Sequence, residues 1–150
     1  MIGVIFDSNV FDGLVDGRMD LTLIAKSKER GYSYFITSLQ SDEIANIPDS
    51  KRDKRKMMIL FLILVKPDVL PIETFVFNHS RLDFGKLGNA EVYSKLLKSD
   101  NSNINDALIG ETAFNNKYIL VSEDKELIKN FIKLGGDGKT ITEFVKLIKG

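Results

Sequence analysis

Hydrophobic residues fall into short runs along the chain, and polar residues separate one run from the next. The first run, Ile2–Phe6, is apolar and contains β-branched residues, and it stops at Asp7. A short apolar run followed by polar residues predicts a buried strand with the polar side chains at its carboxyl end. The same reasoning predicts strands at Tyr34–Ile36, Leu70–Phe77, Tyr118–Val121 and, at an edge of the sheet, Lys139–Ile141.

Segments with helical spacing or helix boundary signals fill most of the intervals between these runs. Gly31 offers a stop for one helix, and Pro67 would end another at the residue before it. The expected helices are Asp20–Arg30, Thr37 or Ser38 to Pro48, Asp49 or Ser50 to Lys66, Ala90–Lys98, a helix that begins at Asn103 or Asn105 and contains Phe114, Asp124–Leu134, and Thr142–Lys149. The two-glycine segment Arg81–Asn89 is expected to be an irregular loop.

Strands and helices alternate, which favours an α/β fold with a mainly parallel sheet flanked by helices. The chain has 150 residues and shows no repeat, low-complexity tract or linker, so one domain is expected over residues 1–150. The longest apolar run, Met57–Val65, is nine residues long. A bilayer span needs about 20. The first residues also lack a basic signal-peptide region, and we therefore expect a cytoplasmic protein with no membrane segment.

The amino-acid composition excludes several classes of functional site. Lys+Arg 21 balances Asp+Glu 21, so bulk charge does not favour nucleic-acid binding, although a local basic patch is compatible with this balance. The absence of cysteine excludes disulfide scaffolds, thiolate metal sites and cysteine nucleophiles. The single histidine, His79, excludes a histidine-rich metal site and is interpreted as a surface residue.

Four carboxylates from separate segments are candidates for one site: Asp7, Glu43, Asp106 and Asp124. Sites in open α/β sheets form beyond the carboxyl ends of the strands, where the predicted topology could bring these residues together. Clustered carboxylates repel one another unless a cation or raised pKa values relieve the repulsion, and an oxygen-only ligand set favours Mg²⁺ or Mn²⁺. Such an ion beside a phosphodiester would activate water for hydrolysis.

Each acid also has a simpler interpretation. Most acidic residues are solvated surface groups. Asp106 lies where a helix dipole favours acids, and Asp124 is placed to be a helix N-cap. Asp7 is the hardest to explain in this way, because it directly follows a buried strand.

Four segments, in order, resemble the motifs of the PIN-domain family of metal-dependent ribonucleases. They are VIFDSNVF with Asp7, TSLQSDEIANI with Glu43, NINDALIGETAF with Asp106, and YILVSEDKEL with Asp124, and together they span Ile2 to Leu127. Each motif is short, and it is the ordered set that carries the resemblance. The chain departs from many members in having only Glu126 as a fifth acid and in its longer segment Asn78–Asn89.

The resemblance implies a twisted parallel sheet between helices and an endonuclease that cuts single-stranded RNA with Mg²⁺ or Mn²⁺. Asp7, Asp106 and Asp124 would hold the principal metal, and Glu43 would hold a second ion or orient water. Asn9 and Ser122 would orient these acids through hydrogen bonds. Many compact members are toxins of toxin–antitoxin pairs, silenced by a small antitoxin and often dimeric. The expected partners are therefore single-stranded or structured RNA, an antitoxin and a second copy of the chain.

Two further features have a functional and a structural interpretation. The basic run Lys51, Arg52, Lys54, Arg55 and Lys56 could bind RNA phosphates, or it could be a solvated helix start. The run Met57–Val65 could be a buried helix, or one face of it could be a homodimer or antitoxin interface. The sequence GGDGKT is not a phosphate loop, because Lys133 stands where that pattern needs glycine.

The main alternative to a ribonuclease is a catalytically silent domain of the same fold that binds RNA or protein. A clustered acidic quartet argues against it, since a scaffold gains nothing from like charges. A phosphotransferase with an Asp7 nucleophile is less consistent with the sequence. The haloacid-dehalogenase pattern needs a second aspartate two residues on, where this chain has Asn9. The sequence therefore predicts a metal-dependent endoribonuclease.

Overall fold

Five parallel strands form one sheet in the computed structural model, which describes residues 1–72, 91–97 and 103–150. The strands are β1 (Ile2–Phe6), β2 (Tyr32–Thr37), β3 (Asp68–Leu70), β4 (Ile119–Val121) and β5 (Gly138–Lys139). Their order across the sheet is β3-β2-β1-β4-β5, so β1 lies at the centre. Val4 pairs with Tyr34 on one side and with Ile119 on the other. All the carboxyl ends therefore lie at one edge, and the fold class is the expected α/β with a parallel sheet.

Helices cover both faces of this sheet. They are α1 (Val10–Val15), α2 (Leu21–Ser27), α3 (Ser38–Ala45), α4 (Arg52–Val65), α5 (Glu91–Leu96), α6 (Ile104–Asn115), α7 (Lys125–Lys133) and α8 (Ile141–Lys149). Two 3₁₀ turns, Lys28–Arg30 and Asp49–Lys51, precede β2 and α4. Capping boxes at Thr37 and Thr140 start α3 and α8 and satisfy their first backbone amides.

The core has two parts because successive side chains of a strand point to opposite faces. Val4 and Phe6 of β1 belong to the part under α1, α2, α4 and α8, where Phe6, Phe11 and Phe61 pack ring against ring. Ile5 belongs to the part under α5, α6 and α7. Burial on both faces explains why the central strands read as continuous apolar runs.

Most predicted elements are present, with boundary shifts and two substantive differences. Helix α1 was not predicted, because its six residues are too few to show a clear period. The strand predicted at Leu70–Phe77 is wrong in its start, and its residues from 73 to 77 lie outside the described part of the chain. Strand β3 follows Pro67 directly and ends at Leu70, where it pairs with Thr37 of β2.

Smaller corrections concern the remaining elements. Strand β5 ends at Lys139 because Thr140 caps α8. Asn103 precedes α6 as predicted, but its side chain donates to the Leu96 carbonyl and does not cap the helix. The loop predicted at Arg81–Asn89, His79 and the whole segment Asn78–Asn89 lie outside the described residues.

Helix α4 has one buried face and one exposed apolar face. Met58, Phe61 and Val65 are buried in the core. Ile59 and Ile63 are 43% and 59% exposed, so the helix is not buried all round. Within the described ranges, no helix is both long and apolar enough to cross a bilayer.

Gly31 permits the sharp turn that joins the 3₁₀ turn to β2. Its φ is 92°, and no neighbouring atom would lie within 4 Å of an added Cβ. We expect Gly31→Ala to lower the free energy of unfolding by about 1–2 kcal/mol through backbone strain alone. Gly31→Asn is the matched control and should cost less, because asparagine tolerates this conformation. Urea denaturation of both variants measures the difference, and equal stability of the two would contradict this explanation.

Candidate functional site

The Asp7 carboxylate is buried where β1 ends beside β4. Asp7 is 0% exposed, and its backbone amide donates to the Val121 carbonyl at 2.9 Å. The Ser8 amide donates to Asp7 Oδ1 at 2.8 Å, and Ser122 Oγ donates to Oδ2 at 2.7 Å. The carboxyl group also shares a side-chain hydrogen bond with Asp106, which lies in the first turn of α6. The structure therefore brings together two of the four acids of the predicted site, Asp7 and Asp106.

This environment raises the pKa of Asp7 from 3.8 to about 8. Burial is the largest cause, and the negative charge and hydrogen bond of Asp106 add to it. Hydrogen bonds from Ser122 and Ser8 act in the opposite direction but are smaller. Two carboxyl groups in such contact cannot both be charged without compensation. At neutral pH Asp7 therefore holds a proton or requires a nearby cation.

Ser122 joins Asp7 to two other predicted site residues. Its Oγ accepts from the Asp124 backbone amide at 3.0 Å and from Asn9 Nδ2 at 3.3 Å. Asn9 Oδ1 accepts in turn from the Glu123 amide at 3.1 Å. The two residues predicted to orient the acids are thus in contact with each other, and they connect the segments that follow β1 and β4.

Glu43 reaches the site through a serine. Glu43 Oε2 accepts from Ser8 Oγ at 2.8 Å, and Oε1 accepts from Asn105 Nδ2 at 3.4 Å. Helix α3, which carries Glu43, is tied to the end of β1 because the buried Gln40 side chain donates to the Phe6 carbonyl. Glu43 therefore lies at the same sheet edge as Asp7, with Ser8 between the two carboxylates.

Asp124 is the N-cap of α7, which is the simpler of the two interpretations predicted for it from the sequence. Its Oδ1 accepts from the Glu126 and Leu127 amides at 3.1 and 3.2 Å and caps the start of α7. Through its own amide it also contacts Ser122. Glu126, the candidate fifth acid, is exposed on the first turn of that helix.

The four acids gather at one edge, but they do not converge on one point. In the described part of the chain, no group of three or more acidic or histidine side chains is close enough to hold a metal ion. Asp7 and Asp106 are in contact, whereas hydrogen-bond donors on Ser8, Asn105 and the α7 backbone hold Glu43 and Asp124. Glu43 and Asp124 therefore lie at the same edge as Asp7 and Asp106 while accepting hydrogen bonds from protein donors.

The chemistry of the four carboxylates, as possible metal ligands, nevertheless fits a hard divalent cation. All four acids offer carboxylate oxygens, the ligands that Mg²⁺ and Mn²⁺ prefer. The raised pKa of Asp7 marks a place where added positive charge would be stabilising. No histidine or cysteine lies among the described residues of this edge.

Three residues of the site were missed by sequence reasoning: Ser8, Gln40 and Asn105. Ser8 and Asn105 each adjoin a predicted acid, and this adjacency is the only signal that the sequence carries. Both contact Glu43, which lies on a different helix. Only the packing of α3 and α6 beside β1 determines those contacts.

The basic residues predicted to bind RNA diverge in their surroundings. Lys51 and Lys54 line a cavity beside Glu43, whereas Arg52 lines a second cavity farther along the same surface. Arg55 NH2 lies 3.1 Å from Asp49 Oδ1. The run is therefore not one uniform patch, and only part of it adjoins the acids.

Comparison with known proteins finds a likeness to a solved structure. A scan of protein-family models finds no match, and a search of curated proteins finds none either. Among solved structures, the chain is similar to a PilT N-terminus domain protein from the hyperthermophilic archaeon Sulfolobus solfataricus P2. The two share 20% identity, the match covers 98% of this chain and 93% of the other, and the TM-score is 0.48.

The raised pKa of Asp7 makes stability depend on pH. The native state holds a proton on Asp7 between about pH 4 and pH 8 that the unfolded chain releases, so stability falls as pH rises through this window. The loss is about 1.4 kcal/mol per pH unit. We expect Asp7→Asn, which cannot ionise, to lack this loss and to be more stable than the native chain at pH 8.

Urea denaturation from pH 5 to 8 in EDTA measures this difference. Asp68→Asn is the matched control, because it makes the same change at an exposed aspartate. Its stability should change with pH as that of the native chain does. Parallel profiles for the native chain and Asp7→Asn would show that Asp7 titrates normally.

Proposed function

We propose that this protein is a metal-dependent endoribonuclease that cleaves single-stranded RNA. The observation that carries the proposal is the buried Asp7 carboxyl group at the carboxyl edge of the parallel sheet, with the half-buried Asp106 carboxyl group beside it. Burial and the charge of Asp106 raise the pKa of Asp7, so Asp7 would be charged at neutral pH only with added positive charge nearby. A site with this character is suited to a divalent cation and, through it, to a phosphodiester.

Asp7 and Asp106 would hold Mg²⁺ or Mn²⁺, with Glu43 and Asp124 completing the site. When bound, the cation supplies positive charge to the scissile phosphate and lowers the pKa of a nearby water. Ser122 holds Asp7 Oδ2 in place, and Ser8 and Asn105 hold the two oxygens of Glu43. Held in this orientation, the Glu43 carboxylate can accept a proton from an attacking water.

The sequence motifs support the same proposal. The four segments that resemble the PIN-domain motifs come from different elements, and the proximity of their acids to the carboxyl ends of β1, β2 and β4 supports a shared role. Asn9 and Ser122, which the resemblance assigns to positioning, are hydrogen-bonded to each other.

A catalytically silent RNA- or protein-binding module is the second candidate, and one observation favours it. No three acids among the described residues lie within reach of a common ion, and Asp124 caps α7. If this alternative holds, the acids have a folding role and added metal changes neither stability nor RNA.

Cleavage of a mixed-sequence single-stranded RNA tests the proposal. We expect cleavage with Mn²⁺ or Mg²⁺ and none with EDTA. Asp7→Asn and Asp106→Asn should each lower kcat/KM by at least about 100-fold, since even partners outside a metal's ligand shell are worth 10–100-fold.

Asp68→Asn makes the same chemical change at an exposed position and should keep full activity. Cleavage that survives both Asp7→Asn and EDTA would point to a contaminating enzyme and would sink the proposal. Circular dichroism of each variant separates loss of activity from loss of fold.

For the biological role, we propose a cytoplasmic toxin whose activity a small antitoxin protein suppresses. The exposed apolar face of α4, formed by Ile59, Ile63 and Leu64, supports a protein interface, either with that antitoxin or with a second copy. We expect induced expression of the native chain in bacteria to arrest growth and Asp7→Asn, at equal protein level, to leave growth unchanged. Equal growth of the two strains would contradict the toxin role while leaving the nuclease untouched.

A further inference from the structure

A cavity of about 290 Å³ opens directly beside Glu43. Its described lining consists of Glu43, Asn46, Ile47, Pro48, Lys51, Lys54 and Met58. The volume is close to the lower end of ligand pockets, which range over roughly 300–1,000 Å³, and so suits one small planar group with its substituents. We call this cavity the Glu43 cleft.

The lining of the Glu43 cleft combines apolar and basic residues. Ile47, Pro48 and Met58 contribute apolar surface, which we call the apolar wall, and Lys51 and Lys54 contribute basic side chains. Glu43 also lines the cleft, and Ser8 connects Glu43 to Asp7. Apolar surface together with cations suits a nucleobase with its phosphate.

Lys51 and Lys54 also line a second cavity, of about 390 Å³, together with Asp12, Asp49 and Arg52. The two lysines therefore stand between two adjoining cavities, and the surface leads from the acids past both ammonium groups. Single-stranded nucleic acid is bound by grooves of this kind, in which cations follow the phosphates and flat surfaces contact the bases.

The two lysines differ in how they are held. Lys54 Nζ lies 3.3 Å from Asp12 Oδ1, and its side chain is 23% exposed. Lys51 is exposed and forms no ion pair within the described residues. A phosphate at Lys54 would compete with Asp12, whereas Lys51 is available without competition.

We propose that the Glu43 cleft binds the nucleotide next to the scissile phosphate of single-stranded RNA. The base lies against Ile47, Pro48 and Met58, and Lys51 and Lys54 bind the phosphate. This assignment rests on the proposed nuclease function and names where its substrate lies. Because the residues placed against the base, Ile47, Pro48 and Met58, carry no polar side-chain group that could read its edge, the cleft accepts different bases with similar affinity.

Binding is measured by fluorescence anisotropy of a labelled single-stranded RNA, with every variant made in the Asp7→Asn chain so that hydrolysis does not interfere. Lys51→Gln and Lys54→Gln should each weaken binding several-fold and reduce the slope of log Kd against log salt by about 0.7, the value for one phosphate contact on a single strand. Lys56→Gln is the matched control: it removes the same charge from an α4 residue that does not line the cleft.

Asp12→Asn gives a test of opposite sign. Removing its carboxylate frees Lys54, so this variant should bind RNA several-fold more tightly. With Lys54→Gln already present, adding Asp12→Asn should give no such gain in RNA affinity. If Asp12 acted only through the overall surface charge, the gain would be the same with and without Lys54.

The apolar wall is tested on the RNA rather than on the protein, because Met58 is buried and its truncation would disturb the core. An oligonucleotide with one abasic residue, moved stepwise past the cleavage position, is assayed with the native chain and Mn²⁺. We expect a single adjoining position at which loss of the base raises KM at least several-fold.

Two results would overturn the assignment while the nuclease stands. One is an equal salt slope for Lys51→Gln, Lys54→Gln and Lys56→Gln. The other is an abasic scan with no sensitive position next to the cut. If the chain cleaves nothing yet the lysine variants lose binding as expected, the nuclease proposal fails and the cleft remains an RNA-binding site.

Discussion

The burial of one carboxyl group, that of Asp7, is the constraint on which the rest of the site depends. Asp7 ends the central strand β1 and meets the end of β4, so the sheet itself carries the carboxylate away from water. Asp106 approaches from α6 and raises the cost of charging Asp7 further. A fold that keeps such a pair gains stability if the charge is neutralised, by a proton at low pH or by a cation at higher pH. The pair of carboxyl groups lowers the stability of the metal-free protein above neutral pH. The same pair gives this edge of the sheet a place where a divalent cation would be stabilised.

The remaining acids are held by polar side chains that separate like charges. Ser8 lies between Asp7 and Glu43, and Ser122 lies between Asp7 and the segment of Asp124. Because Asp7, Glu43 and Asp124 each accept hydrogen bonds from nearby donors, these acids can share one sheet edge without a common ion. This arrangement is consistent with both the nuclease and the silent module. The two differ only in whether a divalent cation binds strongly enough to draw the carboxylates away from these donors.

Charge is unevenly distributed in a chain whose net charge is zero. Carboxylates lie at the carboxyl edge of the sheet, and basic residues lie where α4 begins. The zero net charge is therefore the sum of one acidic region and one basic region. Ion pairs moderate the basic side, since Asp12 contacts Lys54 and Asp49 contacts Arg55. Both pairs are partly exposed, where such contacts contribute little to stability, and a phosphate can therefore displace them at low cost.

The fold class could be predicted from the sequence, and the sequence also named four candidate acids, whose roles stay a prediction. Apolar runs such as Ile2–Phe6 indicate a strand buried on both faces, and the polar residues after such a run indicate the carboxyl edge of the sheet. Both patterns are local, so they can be recognised in the sequence. Helix α1 and the bounds of β3 could not be predicted well, since a six-residue helix and a three-residue strand carry too little periodicity. Only the tertiary structure decided that Asp106 meets Asp7, that Asp124 caps a helix, and that Ser8 and Asn105 hold Glu43. Those are contacts between residues up to 99 positions apart in the case of Asp7 and Asp106, and distance along the chain says nothing about them until the strands have paired and the helices have packed.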